Sequence, residues 1–288
     1  MGFYPQPNTW QCGPFALKHA LAILGKFVDE KTLTKQARTT RGGTDERMLS
    51  RAAKAVKTKL VEFRRTNEDA AYRALTKNLE LGLPCLICIN QWGHWVTIVG
   101  FNAREKRFVV LDSEKDPVVR LPTWVELKRR WAYVEYLKSG ERREYYDLYV
   151  VKPLFRLATK ANFSLTRARY LRRPGNASLA KYFDEYVTDM LNIARPRSTR
   201  GDASPQISMA EFLRRHRKML VETVSFWHGT ITIAQLNRVL ANMQYVAETY
   251  GLVVREEEEK LTIAAFAALL MTWATSHDPV DGDIYGYE

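Results

Sequence analysis

The stretch QPNTWQCGPFALKHALAILG, residues 6–25, decides the fold of the first part of this chain. Its apolar residues recur at helical spacing, which predicts a buried helix from about Gly13 to Leu24. Gly25 follows it, as glycine commonly does just past a helix end. Pro14 suits the first turn, where a missing N–H loses no intrahelical hydrogen bond. Cys12 then lies at the positive end of the helix dipole, an environment that favours the nucleophilic thiolate.

A cysteine alone often does no more than pack, so its companions carry the argument. His94 begins one apolar, β-rich run, and Asp112 ends the next one. A turn at residues 102–106 can join the two strands in a hairpin that places the two side chains close together. Gln6 precedes Cys12 by six residues, near enough for its amide to help hold an oxyanion. Nucleophile, base and acidic orienting residue form the constellation that acyl transfer requires.

This pattern resembles the papain-like bacteriocin-processing cysteine peptidases, which trim double-glycine leader peptides, and their stand-alone relatives. In that family a glutamine six residues ahead of Cys-Gly supplies the oxyanion hole, matching Gln6 and Cys12. A histidine that opens a strand as His-aromatic-Val is the base, matching His94. The resemblance covers about residues 1–153, and it implies a thiol protease, a hydrolase of peptide bonds.

The family's third catalytic position leaves two acids open. An aspartate that closes the strand after the histidine strand matches Asp112. Family members often carry Asp-Pro there, whereas Asp112 is followed by Ser113 and the Asp-Pro pair falls at Asp116 and Pro117. We prefer Asp112 because it ends the strand directly, and Asp116 is the alternative.

The expected fold class is α+β. A papain-like cysteine peptidase domain at residues 1–153, a helical half plus an antiparallel sheet, is followed by an all-helical C-terminal domain. The active cleft is expected between the helix of Cys12 and the sheet of His94. The patterns predict helices at 29–37, 44–59 (with Thr44 as N-cap), 67–82, 123–131, 178–194, 208–227, 232–251 and 256–275, and strands at 84–90, 94–101, 106–112 and 147–152.

Beyond the peptidase domain, residues 154–178 predict a basic linker or arm, and residues 179–288 a helical bundle that binds substrate or a partner protein. Residues 151–200 hold eleven Lys and Arg against three Asp and Glu. That density is compatible with nucleic-acid binding, but a solvated basic surface, or a docking arm against an acidic face, is the preferred interpretation. Ser208 and Glu211 have capping-box spacing, which marks the start of a helix.

Two other activities fit the same residues. The triad could pass its acyl group to an amine rather than to water, which would make the protein a papain-like acyltransferase or transpeptidase. The chain could also be a non-enzymatic adaptor that binds nucleic acid or an acidic partner through the basic arm, and such binding would be salt-sensitive.

Three further features of the sequence concern substrate binding, metal binding and cellular location. Trp10 and Trp92 fall on predicted loops near the catalytic residues and are candidates for the walls of a substrate groove. The residues around Cys85 and Cys88 indicate a buried strand, and no second Cys or His pair has zinc-finger spacing. We therefore predict no metal and no cofactor. No signal peptide is visible, and the longest apolar run, residues 261–274, is too short to span a membrane. A cytoplasmic location is therefore expected.

Overall fold

The computed structural model describes residues 2–157, 159–196, 205–229 and 231–276 of the 288-residue chain. The chain divides into two compact units, Met1–Asp184 and Glu185–Glu288. The helices are α1 (Cys12–Ile23), α2 (Glu30–Ala37), α3 (Glu46–Ala55), α4 (Glu68–Glu80), α5 (Trp124–Trp131), α6 (Leu165–Leu171), α7 (Ala177–Lys181), α8 (Phe183–Ile193), α9 (Met209–Trp227), α10 (Ile233–Tyr250) and α11 (Glu259–Ser276). The strands are β1 (Thr58–Arg65), β2 (Cys85–Ile89), β3 (His94–Asn102), β4 (Arg107–Leu111), β5 (Val119–Arg120), β6 (Tyr133–Tyr136), β7 (Arg142–Pro153), β8 (Arg195–Pro196), β9 (Gln206–Ser208) and β10 (Leu252–Arg255).

The first unit is built on an antiparallel sheet in the order β1-β7-β2-β3-β4-β5, with β6 paired to β7. Helices cover both faces. On one face α1, α2 and α3 enclose a core that includes Leu17, Leu49 and Trp95. On the other face α4 and α5 pack on a second core that includes Leu75 and Phe108. The sequence-based prediction of a mixed helical and antiparallel-sheet fold is confirmed.

Helix α1 follows its prediction closely and is buried along its whole length. Its small and branched apolar residues allow it to pack tightly on the sheet. A hydrogen bond from Thr97 Oγ1 on β3 to the carbonyl of Ala16, at 2.6 Å, ties the helix to the strand that begins with His94. The elements that carry Cys12 and His94 are therefore fixed to each other near the site.

The predicted helix at 44–59 is too long, and a strand was missed. Asp45, not Thr44, is the N-cap, because its side chain accepts the Met48 N–H at 2.7 Å. The helix ends at Ala55, and β1 then pairs with β7 over eight residues. Residues 58–65 alternate between the two faces of the sheet, which is the period-2 pattern of a strand. This pattern was not recognised because the predicted helix extended to residue 59.

The predicted arm at 154–178 does not stand apart as a linker. Phe163 is buried and contacts the rings of Phe3 and Phe183. The Ala161 N–H donates to the Ile23 carbonyl at 2.8 Å, and Leu165 and other apolar residues of α6 are buried. The basic residues hid this apolar pattern in the sequence, and the compact first unit extends to Asp184 instead of ending near residue 153.

The second unit contains three of the four predicted helical segments, as α9, α10 and α11, and a small sheet that the sequence did not indicate. The single helix predicted at 178–194 is instead two helices, α7 in the first unit and α8, within which the second unit begins. Ser208 caps α9 by accepting the Glu211 N–H at 3.2 Å. Thr232 forms a capping box with Gln235 at the start of α10. Strand β10 pairs antiparallel with β8 and β9, and these strands of two to four residues are too short to show a period.

Among the residues that the structure describes, no helix is long and apolar enough to span a bilayer.

Replacement of Phe108 by alanine is expected to destabilise the first unit by about 3–5 kcal/mol, since the lost ring leaves a cavity. Phe108 is fully buried, with the rings of Tyr72, Phe101 and Trp124 at centroid distances of 5.8–6.0 Å. Urea unfolding measures the change. The control is Tyr136→Ala, because Tyr136 is 72% exposed and its loss should change the free energy of unfolding by less than about 0.5 kcal/mol.

Candidate active site

Cys12 is the first residue of α1, and its side chain is buried at the wall of a cleft. Gln11 is the N-cap residue, but its side chain makes no capping hydrogen bond, and the first turn contains no acidic residue. The N–H groups at a helix start have no intrahelical acceptor. They therefore remain available to stabilise negative charge that develops beside the sulfur.

His94 and Asp112 lie at neighbouring strand ends. His94 is the first residue of β3, and Asp112 directly follows β4, which pairs antiparallel with β3. The distance from His94 Nε2 to Asp112 Oδ1 is 2.7 Å, and both residues are buried. Asp112 also accepts the Glu114 N–H at 3.2 Å. The bond to Asp112 occupies Nε2, which leaves Nδ1 as the ring nitrogen for the thiol side.

The electrostatics of the pair favour opposite charges. Burial alone would lower the pKa of His94, but hydrogen bonds to Asp112 and Cys12 and their negative charges outweigh it and raise the pKa to about 9. Burial alone would raise the pKa of Asp112, but the hydrogen bond to His94 dominates the opposing effects and the pKa falls below its usual value. At neutral pH an imidazolium is thus held between a carboxylate and the thiol.

Gln6 is fixed beside these residues by three hydrogen bonds. Its N–H donates to the Ser113 carbonyl at 2.8 Å, and its Oε1 accepts the Ser113 hydroxyl at 2.6 Å. Its Nε2 donates to the Asn8 carbonyl at 2.6 Å, which uses one of the two amide hydrogens. Ser113, the departure from the family's Asp-Pro pattern, therefore fixes the glutamine next to Asp112.

The cleft beside Cys12 has a volume of about 430 Å³. Trp10 and Trp92, the candidates for the walls of a substrate groove, both line it, and Trp92 is 39% exposed. Trp95 also borders the cleft but is buried, and its Nε1 donates to the Thr44 carbonyl at 2.8 Å. Residues 40–46 also line the cleft.

The described residues include one group of side chains that could bind a metal ion. Ligand atoms of His94, Asp112 and Glu114 lie within 4.8 Å of one another. The hydrogen bond between His94 and Asp112 already accounts for two of the three, and Glu114 is exposed. We therefore do not assign a metal site here. Cys85 and Cys88 lie three residues apart on β2 and belong to cores on opposite faces of the sheet, so they do not converge.

Sequence reasoning missed two residues beside the site. Ser113 was noted only as a departure from the family pattern, although it bonds to Gln6. Arg130, on α5, has its Nη1 3.8 Å from Asp112 Oδ2. The periodicity of residues 124–131 does not distinguish Arg130 from the exposed Arg129 that precedes it. The contact of Arg130 with Asp112 depends on how α5 packs against the end of β4.

Comparison with known proteins gives the following matches. Residues 2–133 match the model of the peptidase C39 family. No curated protein matches the chain. The peptidase domain of Streptococcus ComA, a bi-functional ABC transporter involved in a quorum-sensing pathway, is 15% identical with a TM-score of 0.40, over 53% of this chain and 98% of that domain.

Two further solved structures match about half of the chain. A double glycine motif protease from an AMS/PCAT transporter, in complex with the leader peptide, is 19% identical with a TM-score of 0.38, over 52% of this chain and 89% of that one. The N-terminal peptidase C39-like domain of the toxin secretion ATP-binding protein from Vibrio parahaemolyticus is 13% identical with a TM-score of 0.35, over 51% of this chain and 98% of that one.

Proposed function

Because residues 2–133 form a cysteine peptidase domain of the peptidase C39 family, we propose that this protein cleaves peptide bonds with Cys12 as nucleophile, His94 as base and Asp112 as orienting acid. The observation that carries the proposal is the 2.7 Å hydrogen bond between buried His94 and Asp112, next to a cysteine at a helix start. Asp112 is preferred to Asp116 because Asp112 makes this bond.

The proposed reaction begins from the ion pair in which the Cys12 proton already resides on His94, so that an imidazolium lies beside the Cys12 thiolate. The thiolate attacks the carbonyl carbon of the substrate, and the amide of Gln6 and the Cys12 N–H hold the oxyanion. His94 then gives its proton to the leaving amine, and a thioester remains on Cys12. His94 next deprotonates a water molecule, which hydrolyses the thioester and releases the free acid.

The proposed substrate is a peptide segment that lies along the cleft between Trp10 and Trp92. The family resemblance suggests a glycine-rich cleavage site, so a Gly-Gly peptide library is the first probe, with an Ala-Ala library as the matched control. Mass spectrometry of the products tests the reaction type. Free carboxylic acids support hydrolysis, whereas peptide–amine conjugates would indicate the acyltransferase alternative. The peptidase proposal would be contradicted if the unmodified wild type cleaved no peptide in the same buffer in which its Cys12 reacts readily with iodoacetamide.

Gln6→Ala is expected to lower the turnover of a cleaved peptide about 100-fold to 1,000-fold, the loss typical for one oxyanion donor. Alkylation of Cys12 by iodoacetamide should continue, because the thiol and His94 remain. Peptide cleavage and alkylation are measured on the same preparation. The control is Gln36→Ala, since Gln36 is exposed on α2. Full turnover in Gln6→Ala would contradict the assignment of Gln6 to the oxyanion hole.

A further inference from the structure

The turn between β2 and β3 has an uncommon backbone conformation. Asn90, Gln91 and Trp92 have φ values of 56°, 56° and 64°, in the left-handed region that residues other than glycine rarely adopt. Three such residues in succession persist only where their surroundings hold them. The turn brings Trp92 to the cleft and leads through Gly93 into His94. Its conformation therefore determines how the proposed base enters the site.

Helix α5 and the residues after it hold this turn. The Arg130 carbonyl accepts the Asn90 N–H at 2.7 Å, and Arg130 Nε donates to Asn90 Oδ1 at 3.2 Å. The Val134 N–H donates to Gln91 Oε1 at 3.1 Å. One residue, Arg130, thus contacts both the backbone and the side chain of the first residue of the turn.

The same guanidinium also reaches the proposed catalytic acid. Arg130 Nη1 lies 3.8 Å from Asp112 Oδ2, while Asp112 Oδ1 accepts the hydrogen bond from His94. Asp112 is 1% exposed, whereas Arg130 is 40% exposed. A planar guanidinium can direct Nε to one acceptor and Nη1 to another, which the single amine of lysine cannot do.

Building on the proposed function, we propose that Arg130 is a positioning residue of the peptidase centre. It fixes the left-handed turn at residues 90–93 and the Asp112 carboxylate relative to each other, and thereby keeps the His94 imidazole between Asp112 and Cys12. It acts on the reaction through Asp112 and His94.

The titration of His94 can separate positioning from charge. The groups that face His94 are Cys12 from α1, Cys88 from β2, and Asp112 and Glu114 after β4, with Arg130 beyond Asp112. Removal of the arginine charge by itself would raise the pKa of His94, because a nearby cation disfavours the imidazolium. Loss of a well-placed Asp112 would lower it, because that hydrogen bond stabilises the imidazolium. The two effects therefore have opposite signs.

The test is the rate of Cys12 alkylation by iodoacetamide from about pH 4 to about pH 10, with mass spectrometry to assign the site. The higher apparent pKa in this pH–rate profile reports the ionisation of His94. We expect Arg130→Gln to lower that pKa by about one unit, a tenfold change in proton affinity. Asn90→Gly should shift it in the same direction by less, since glycine accepts the left-handed backbone and loses only the side-chain contact. Arg129→Gln, an equal charge change on the same helix, should match the wild type.

If the apparent pKa of His94 is unchanged or higher in Arg130→Gln, the positioning role is overturned. If Arg130→Gln does not fold, as judged by circular dichroism, Asn90→Gly decides alone, and an unchanged profile there would overturn the proposal. The proposed function fails separately, when the wild type and His94→Ala give the same profile. Conversely, a His94-dependent profile that is identical in Arg130→Gln refutes only the positioning role.

Discussion

His94→Ala is expected to slow the alkylation of Cys12 at pH 6 by as much as 300-fold. In the wild type the pKa of His94 is raised to about 9, so at pH 6 the imidazolium is present to stabilise a thiolate. Without it, an ordinary cysteine thiol with a pKa of about 8.5 is only about 0.3% ionised at pH 6. Iodoacetamide labelling followed by peptide mass spectrometry measures the rate at the Cys12 site.

The other two cysteines serve as internal references in this experiment. Both are buried, and burial raises the pKa of Cys88 to about 12 and that of Cys85 still further. Neither should react at pH 6, so the label reports Cys12. His216→Ala is the control variant, because His216 lies on α9 of the second unit. Equal alkylation rates in the wild type and in His94→Ala would contradict the thiolate–imidazolium pair.

Asp112→Asn is expected to lower the turnover of a cleaved peptide about 10⁴-fold, the loss that the same change causes in a Ser–His–Asp triad. An asparagine amide can donate to His94 Nε2 and so select the wrong tautomer, and it lacks the charge that stabilises the imidazolium. The pKa of Asp112 lies below its usual value, chiefly through the bond to His94, so the carboxylate is ionised at neutral pH. Steady-state cleavage of a library-selected peptide measures the loss.

Asp116→Asn is the matched control, and it also decides between the two acids that the sequence left open. The structure gives Asp112, not Asp116, the hydrogen bond to His94 at 2.7 Å. We therefore expect near-normal turnover from Asp116→Asn. A large loss in that variant together with a small loss in Asp112→Asn would reassign the orienting role.

Local patterns in the sequence determined several elements of this protein. The apolar periodicity after Cys12 predicted α1 to within one residue at each end, and the β-rich runs predicted β2, β3 and β4. These signals succeed because burial of one stripe or one strand face repeats along the chain with the period of the element. The same patterns placed His94 at the first residue of a strand and Asp112 just after the next one, which is sufficient to predict that their side chains are neighbours.

Only the tertiary structure decided which segments complete the first unit and which residues contact Gln6 and Asp112 at the site. Phe163 and α6 complete the first unit although basic residues dominate their segment, because apolar contacts with Phe3 and Phe183 come from distant parts of the chain. The contacts of Ser113 with Gln6, and of Arg130 with Asn90 and Asp112, likewise join separate segments. No period along the sequence encodes such contacts, because they depend on the distances between packed elements.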